Sequence, residues 1–184
     1  MIVPPYEKKQ RKRRAVQLGL RLFAGLCLIH SCRISPDPPP KKFRIGFSQC
    51  TGDIKWRKAT LDGAGRELTF HPGSELIYRN AEDNSQLQVQ QIKELGRENI
   101  DILLVSPNEA APLTAAVEEI YNKGIPVVVL DRRISSDLYT AFVGADNSGI
   151  GRMAGNYVSN LYKPGRQIIE IIGLKGSTSS LERK

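Results

Sequence analysis

Histidine, cysteine and long apolar runs are all scarce in this 184-residue chain, and each scarcity removes a class of function. His30 and His71 are the only two histidines, too few for the converging imidazoles of a His-based metal centre. The three cysteines, Cys27, Cys32 and Cys50, are too few and too badly spaced for a disulfide scaffold or a zinc site. No metal and no cofactor is expected. In the amino-terminal region the unbroken apolar stretch covers only residues 22–29, far short of the roughly 20 residues that span a bilayer. Excess positive charge is also missing where it would matter. The chain has 27 Lys+Arg against 19 Asp+Glu, but residues 1–42 hold ten basic and two acidic residues, and residues 43–184 hold seventeen of each. A protein that grips phosphates carries its cations on the folded surface, so nucleic acid is not an expected partner.

What is present begins with a leader. Lys8, Lys9, Arg11, Lys12, Arg13 and Arg14 precede an apolar stretch over residues 15–29 that Gln17 and Arg21 interrupt. Basic, then apolar, then a short polar stretch is the form of a secretory signal. A spurious upstream start codon would account equally for the untidy basic region. Ile29-His30-Ser31-Cys32 resembles a loose lipobox with Cys32 as the acylated residue, and simple cleavage near Ser31 is the alternative. Residues 33–42 contain four prolines and read as a tether. The expected organisation is a leader over 1–32, a tether over 33–42 and a folded part working in the periplasm. Any membrane contact would come through the leader or anchor.

From Phe43 the pattern alternates. Strands are predicted over 43–48, 75–79, 101–106, 125–130, 140–145 and 167–173, with helices over 57–70, 85–98, 109–123 and from Ile150 to the region of Leu161. The third helix is marked by Leu113, Ala116, Val117, Ile120 and Tyr121 on one face and by Gly124 after its end. Residues 101–106 read as a strand buried on both faces. Short connections between alternating strands and helices imply parallel strands, right-handed crossovers and helices on both faces. The expected fold is therefore a doubly wound α/β sheet. Its ligand site belongs outside the carboxyl ends of the strands, in the loops after Ser48, Ser106, Leu130 and Ala145.

Those loops contain Ser48, Gln49, Cys50, Asp53 and Trp56, then Asn108, then Asp131, Arg132 and Arg133. No Ser/His/Asp set, carboxylate pair or Cys/His pair assembles from them. They supply a carboxylate, a guanidinium, amides, hydroxyls and one indole. A carboxylate accepts from adjacent hydroxyls, a guanidinium donates in a fixed fork, and an indole covers the C–H face of a sugar ring.

Residues 43–184 resemble the type I periplasmic sugar-binding proteins, the ribose-binding-like group whose fold the ligand domains of LacI-type repressors share. The residues that carry the likeness are Ile125-Pro126-Val127-Val128-Val129-Leu130-Asp131-Arg132, Val143-Gly144-Ala145-Asp146-Asn147 and Ile171-Ile172-Gly173-Leu174-Lys175-Gly176-Ser177. Ser48-Gln49-Cys50-Thr51-Gly52-Asp53 is similar to the periplasmic sugar-sensing domains of Bacteroidetes hybrid two-component regulators. The resemblance implies that Asp131 and Arg132 bind sugar hydroxyls, that Trp56 packs on the ring, and that Arg183 contributes from a second lobe. Ser48, Gln49, Asp53 and Asn108 complete the expected sugar-binding set. The family has two lobes. Residues 43–145 would form the first, while 146–184 would only begin the second, with Asp146 and Asn147 as the hinge at the crossing.

Each assignment has a plainer counterpart. Trp56 is otherwise a core residue at a helix start, and Asp131-Arg132 a local ion pair stabilising a turn. Asp53 and Asn108 serve equally as turn or N-cap residues, and Asp146 and Asn147 as a helix N-cap. Cys50 reads as a packed residue without a basic partner, and Arg133 as solvent-exposed. Gly155 is expected to permit close helix packing. The expected function is non-catalytic sugar recognition feeding a downstream kinase domain, or alternatively an ABC transporter permease. Gly149, Gly151 and Gly155 with Glu170 imitate a dinucleotide fingerprint at the wrong spacing, which leaves an NAD(P)-dependent oxidoreductase as a remote alternative. A LacI-type regulator would need a helix-turn-helix before Phe43.

Overall fold

The computed structural model describes residues 41–162 and 165–184. The leader, Cys32 and most of the proline-rich tether lie outside the described residues. Among the described residues no helix is long and apolar enough to cross a membrane.

The chain alternates as its periodicity predicts: β1 Phe43–Gln49, α1 Lys55–Leu68, β2 Ser74–Asn80, α2 Ser85–Leu95, β3 Ile102–Ser106, α3 Ala110–Asn122, β4 Val127–Leu130, β5 Ala141–Val143, α4 Asn147–Leu161 and α5 Thr178–Glu182. Every strand pair is parallel, in the order β2-β1-β3-β4-β5. Local chemistry sets the helix ends. Asn84 caps α2 by accepting from the Leu87 N–H, and Gly124, at φ +81°, turns the chain out of α3 in the left-handed conformation that glycine tolerates.

The strand order moves one way from β1 to β2 and the other way from β2 through β3 to β4. With right-handed crossovers this sets α1 on one face and α2 and α3 on the opposite one. The core agrees. Ile92 and Leu95 of α2 and Leu113, Ala116, Val117 and Ile120 of α3 pack against Leu103, Val105, Val127 and Val129 of the sheet, and α1 contributes nothing to this cluster. Ile102 and Leu104, pointing the other way, are only half-buried. The expectation that 101–106 is buried on both faces is therefore half correct: Leu103 and Val105 are fully buried and the opposite face, at Ile102 and Leu104, is not.

Two other expectations change. Residues 166–174 form no strand. A buried strand needs neighbours to receive its N–H and C=O groups, and no described strand pairs with this segment, whose Ile169 and Ile171 are 92% and 94% exposed. Among the described residues no neighbouring atom lies near where a Cβ on Gly155 would stand, so the close packing expected there is not seen among them.

Register brings the carboxyl ends together. Gln49 lies beside Ser106 across β1 and β3, and Leu130 beside Val143 across β4 and β5. The loops that follow these residues therefore open onto one edge.

Candidate functional site

At that edge lies a cleft of about 880 Å³. Its floor is made by Arg57, Ser106, Asp131 and Arg132, and its flanks by Trp56, Val143, Ile171, Ile172 and Arg183. Asp131 occupies the end of β4 in a strained conformation. Its φ is +66°, its N–H donates to the Val143 carbonyl at 2.8 Å, and the Arg132 N–H donates back to the Leu130 carbonyl at 2.7 Å. A hydrogen bond between residues two apart around a positive-φ centre is a γ-turn of the rarer, strained kind. Such strain persists only where neighbours over-determine it, and it concentrates at functional sites.

The carboxylate is held from an unexpected direction. Arg57, in the first turn of α1, is 2% exposed and donates from Nη2 to Asp131 Oδ2 at 2.6 Å. Its Nη1 donates to Ser106 Oγ, while its buried Nε has no partner. Arg132 Nε stands 3.9 Å from the same carboxylate oxygen, and its Nη1 donates to the Asn108 carbonyl at 2.9 Å. Asp131 thus pairs chiefly with Arg57, not with its sequence neighbour. Sequence reasoning missed Arg57. The signal was its place directly after Trp56, in the first helical turn after the strand-end loop, where both side chains line the same cleft.

Of the eight predicted sugar-binding residues, Asp131, Arg132, Trp56 and Arg183 line the cleft. Trp56 is 68% exposed. The other four lie off it. Gln49 is buried one layer behind, donating from Nε2 to the Arg57 carbonyl and accepting from the Tyr78 hydroxyl at 2.9 Å. It anchors the turn that presents Arg57. Ser48 is buried, and its Oγ accepts from Gln88. Asn108 is buried too: its N–H donates to Gln88 Oε1, and its amide nitrogen donates to Asp83 O and Ser85 Oγ. Asp53 is exposed in the turn before α1.

The remaining assignments resolve locally. Asp146 caps α4, accepting from the Gly149 N–H at 2.9 Å, while Asn147 is buried. Arg133 is not free in solvent. Its guanidinium lies 3.7 Å from the Phe142 ring centroid and donates to the Tyr139 hydroxyl at 2.9 Å. Cys50 is buried, and burial pushes its thiol above the usual range. Arg57 and Arg132 do lie close enough to oppose that shift, contrary to the reading that it has no basic neighbour, but desolvation outweighs them. The glycines of the imitated fingerprint fall inside α4, whereas a dinucleotide site needs them in a strand-to-helix turn.

The sequence pattern of the periplasmic binding protein domain matches residues 45–184. The chain belongs to that family. Among its relatives in the family is the ribose import binding protein of Bacillus subtilis (strain 168), 26% identical over 181 residues, covering 94% of this chain and 58% of the relative. A solved structure of the fructose-binding periplasmic domain of a hybrid two-component system is 46% identical, with a TM-score of 0.73, covering 77% of this chain and 47% of that one. A Mycobacterium smegmatis protein solved with β-D-fucofuranose is 26% identical, with a TM-score of 0.67, covering 77% and 48%. The fold is the α/β fold of type I periplasmic binding proteins, and the structure covers one lobe of it. The chain spans about half the length of the solved proteins it matches.

Proposed function

We propose that this chain is the ligand-recognising part of a periplasmic sugar sensor in a two-component system, binding a monosaccharide without chemical change. The observation that carries the reading is the Asp131 carboxylate, clamped by Arg57 and flanked by Arg132 at the carboxyl edge of the sheet, with Trp56 beside it. An acceptor and guanidinium forks on one floor suit vicinal hydroxyls, and an exposed indole suits the apolar face of a ring. The 46% identity to a fructose-binding sensor domain favours the sensor over the transport role that the ribose import relative favours. Residues 43–145 would act as one lobe and 146–184 as the start of a second, with Asp146 and Asn147 at the crossing. Ligand binding would close the two and bias a downstream equilibrium. A kinase domain would receive the signal; in the transport alternative a permease would receive the loaded protein.

Calorimetry of the complete protein against D-fructose, D-ribose and D-galactose tests the reading. One of them is expected to bind, and Asp131→Ala to abolish the heat without unfolding the protein. Absence of heat for all three, or unchanged affinity in Asp131→Ala, overturns the assignment. Sequencing beyond the Lys184 codon separates the roles. A membrane-spanning segment and kinase downstream favour the sensor, and a stop codon after a second lobe favours the transport component.

A further inference from the structure

We infer that Asn147 is a positioning residue for the cleft. Its buried side-chain amide holds the Nε edge of Arg183 and leaves the Nη nitrogens of that guanidinium for the ligand. The inference rests on the sugar-binding reading and adds to it a residue that lies outside the cleft lining.

Asn147 is 3% exposed at the start of α4, where a short amide would ordinarily do no more than cap the helix. The cap is already supplied by Asp146, which leaves the Asn147 side chain available for tertiary contacts. It makes two. Its Oδ1 accepts from Arg183 Nε at 2.9 Å, and its Nδ2 donates to Glu182 Oε2 at 3.1 Å. The amide therefore reads two consecutive residues at the end of α5 in opposite senses, an acceptor for the cation and a donor for the anion. A side-chain amide carries one group for each sense, a carbonyl oxygen that accepts and an NH2 that donates.

Backbone contact fixes the same pair independently. A Cβ built on Gly151, one turn along α4, would collide with the Arg183 carbonyl oxygen and stand 2.9 Å from its Cα. The absence of a side chain there lets the Arg183 backbone lie directly on the helix. Glu182 is braced on its other side, with Oε1 3.9 Å from Arg133 Nε, and the Arg133 N–H donates to Thr178 Oγ1 at 2.9 Å. The chain of contacts runs from the turn that carries Asp131, through Arg133 and Glu182, to Asn147 and back to the cleft at Arg183. A guanidinium on a flexible stem loses rotamer entropy when it is ordered. A seat that orders it before the ligand arrives removes that loss from binding.

A double-mutant cycle on the complete protein, read by calorimetry with D-fructose and D-ribose, tests this. Asn147→Ala and Arg183→Ala are each expected to weaken the sugar bound by the unmodified protein at least tenfold. Asn147→Ala placed on Arg183→Ala should add less than twofold, because it acts through that side chain. Additive losses, or an unchanged affinity in Asn147→Ala, would mean that Asn147 serves the fold only, and would overturn the inference while leaving the sugar site standing. If Asn147→Ala does not fold, the pair Asn147→Asp with Glu182→Gln decides. It restores an acceptor for Arg183 and a donor–acceptor contact with position 182, so affinity within threefold of the unmodified protein is expected. A folded pair that binds as weakly as Arg183→Ala overturns the inference. Failure of the unmodified protein to bind any of the sugars tested overturns the functional reading, and the inference with it.

Discussion

Arg57 is where residue-scale reasoning gains most from the structure. Its backbone belongs to an exposed helix, yet its side chain is the only one buried from α1, and it meets a carboxylate 74 positions away. A buried guanidinium costs several kcal/mol of desolvation unless it is paired. Asp131 and Ser106 supply partners for its two Nη nitrogens while Nε stays unpartnered, so the interaction is costly to keep and more useful in recognition than in folding. Arg57→Met should therefore lower the unfolding free energy by only about 1–2 kcal/mol, because a third of the Asp131 side chain reaches water and screens the orphaned charge. The same substitution should weaken sugar binding by more than tenfold. Denaturant melts and calorimetry on one preparation measure both. A large stability loss with intact binding would make the pair purely structural. The place of Asp131 and Arg132 was legible because they follow a strongly apolar strand, and the family resemblance implied their role; the partner of Arg57 was not, since a lone arginine on a helix carries no sign of which carboxylate it will meet.

At the scale of elements, the sheet was legible because buried parallel strands are short apolar runs and α3 has an uninterrupted helical period. The order of the strands is a matter of tertiary pairing, and so is the stitching at their starts. Asp101 shows this. Its Oδ2 accepts from the Arg44 N–H at 2.7 Å and its Oδ1 from Lys41 at 3.2 Å, while its own N–H donates to the Arg44 carbonyl at 2.8 Å. These bonds join the beginning of β1 to the beginning of β3. The backbone N–H of Arg44, followed by the Lys41 ammonium, holds the Asp101 carboxyl below the ordinary carboxylate range. A folded value below the unfolded one contributes stability that is fully present above the unfolded pKa, about 4, and is lost as pH falls through the folded value. Asp101→Asn should therefore melt lower than the unmodified protein at neutral pH, with the difference shrinking on acidification below about pH 4. Melting curves across that range check it, and a gap that widens in acid would refute the assignment.

At the scale of the whole molecule, the described surface is unevenly covered. Met153, Tyr157 and Leu161 of α4 are 65%, 66% and 55% exposed, although their spacing marks them as an inward face. Ile168, Ile169, Ile171 and Ile172 are open as well, and apolar side chains exposed in a row along one helix face are more than the solitary ones that need no explanation. The 184-residue chain on its own is expected to bind an apolar fluorescent dye and to sediment with concentration-dependent mass. Replacing Met153 and Tyr157 with lysine should reduce both effects. A monodisperse, dye-silent chain would mean that this face finds cover within residues 1–184. The strand predicted over 167–173 belongs to the same lesson. Its apolar composition was read correctly, but composition does not supply a neighbouring strand.

The sequence by itself determined the alternation of strands and helices, the parallel sense of the sheet, and the place of Asp131 and Arg132 directly after an apolar strand, at the carboxyl edge. Each of these depends on periodicity or on the ending of an apolar run, which are local properties. Only the tertiary structure decided that Gln49, Ser48 and Asn108 turn inward as supports, that Arg57 clamps Asp131, and that Asn147 seats Arg183. Those outcomes depend on which polar groups are brought within hydrogen-bond reach after burial. A buried donor takes the nearest acceptor in space, and nothing in the chain order states which one that will be.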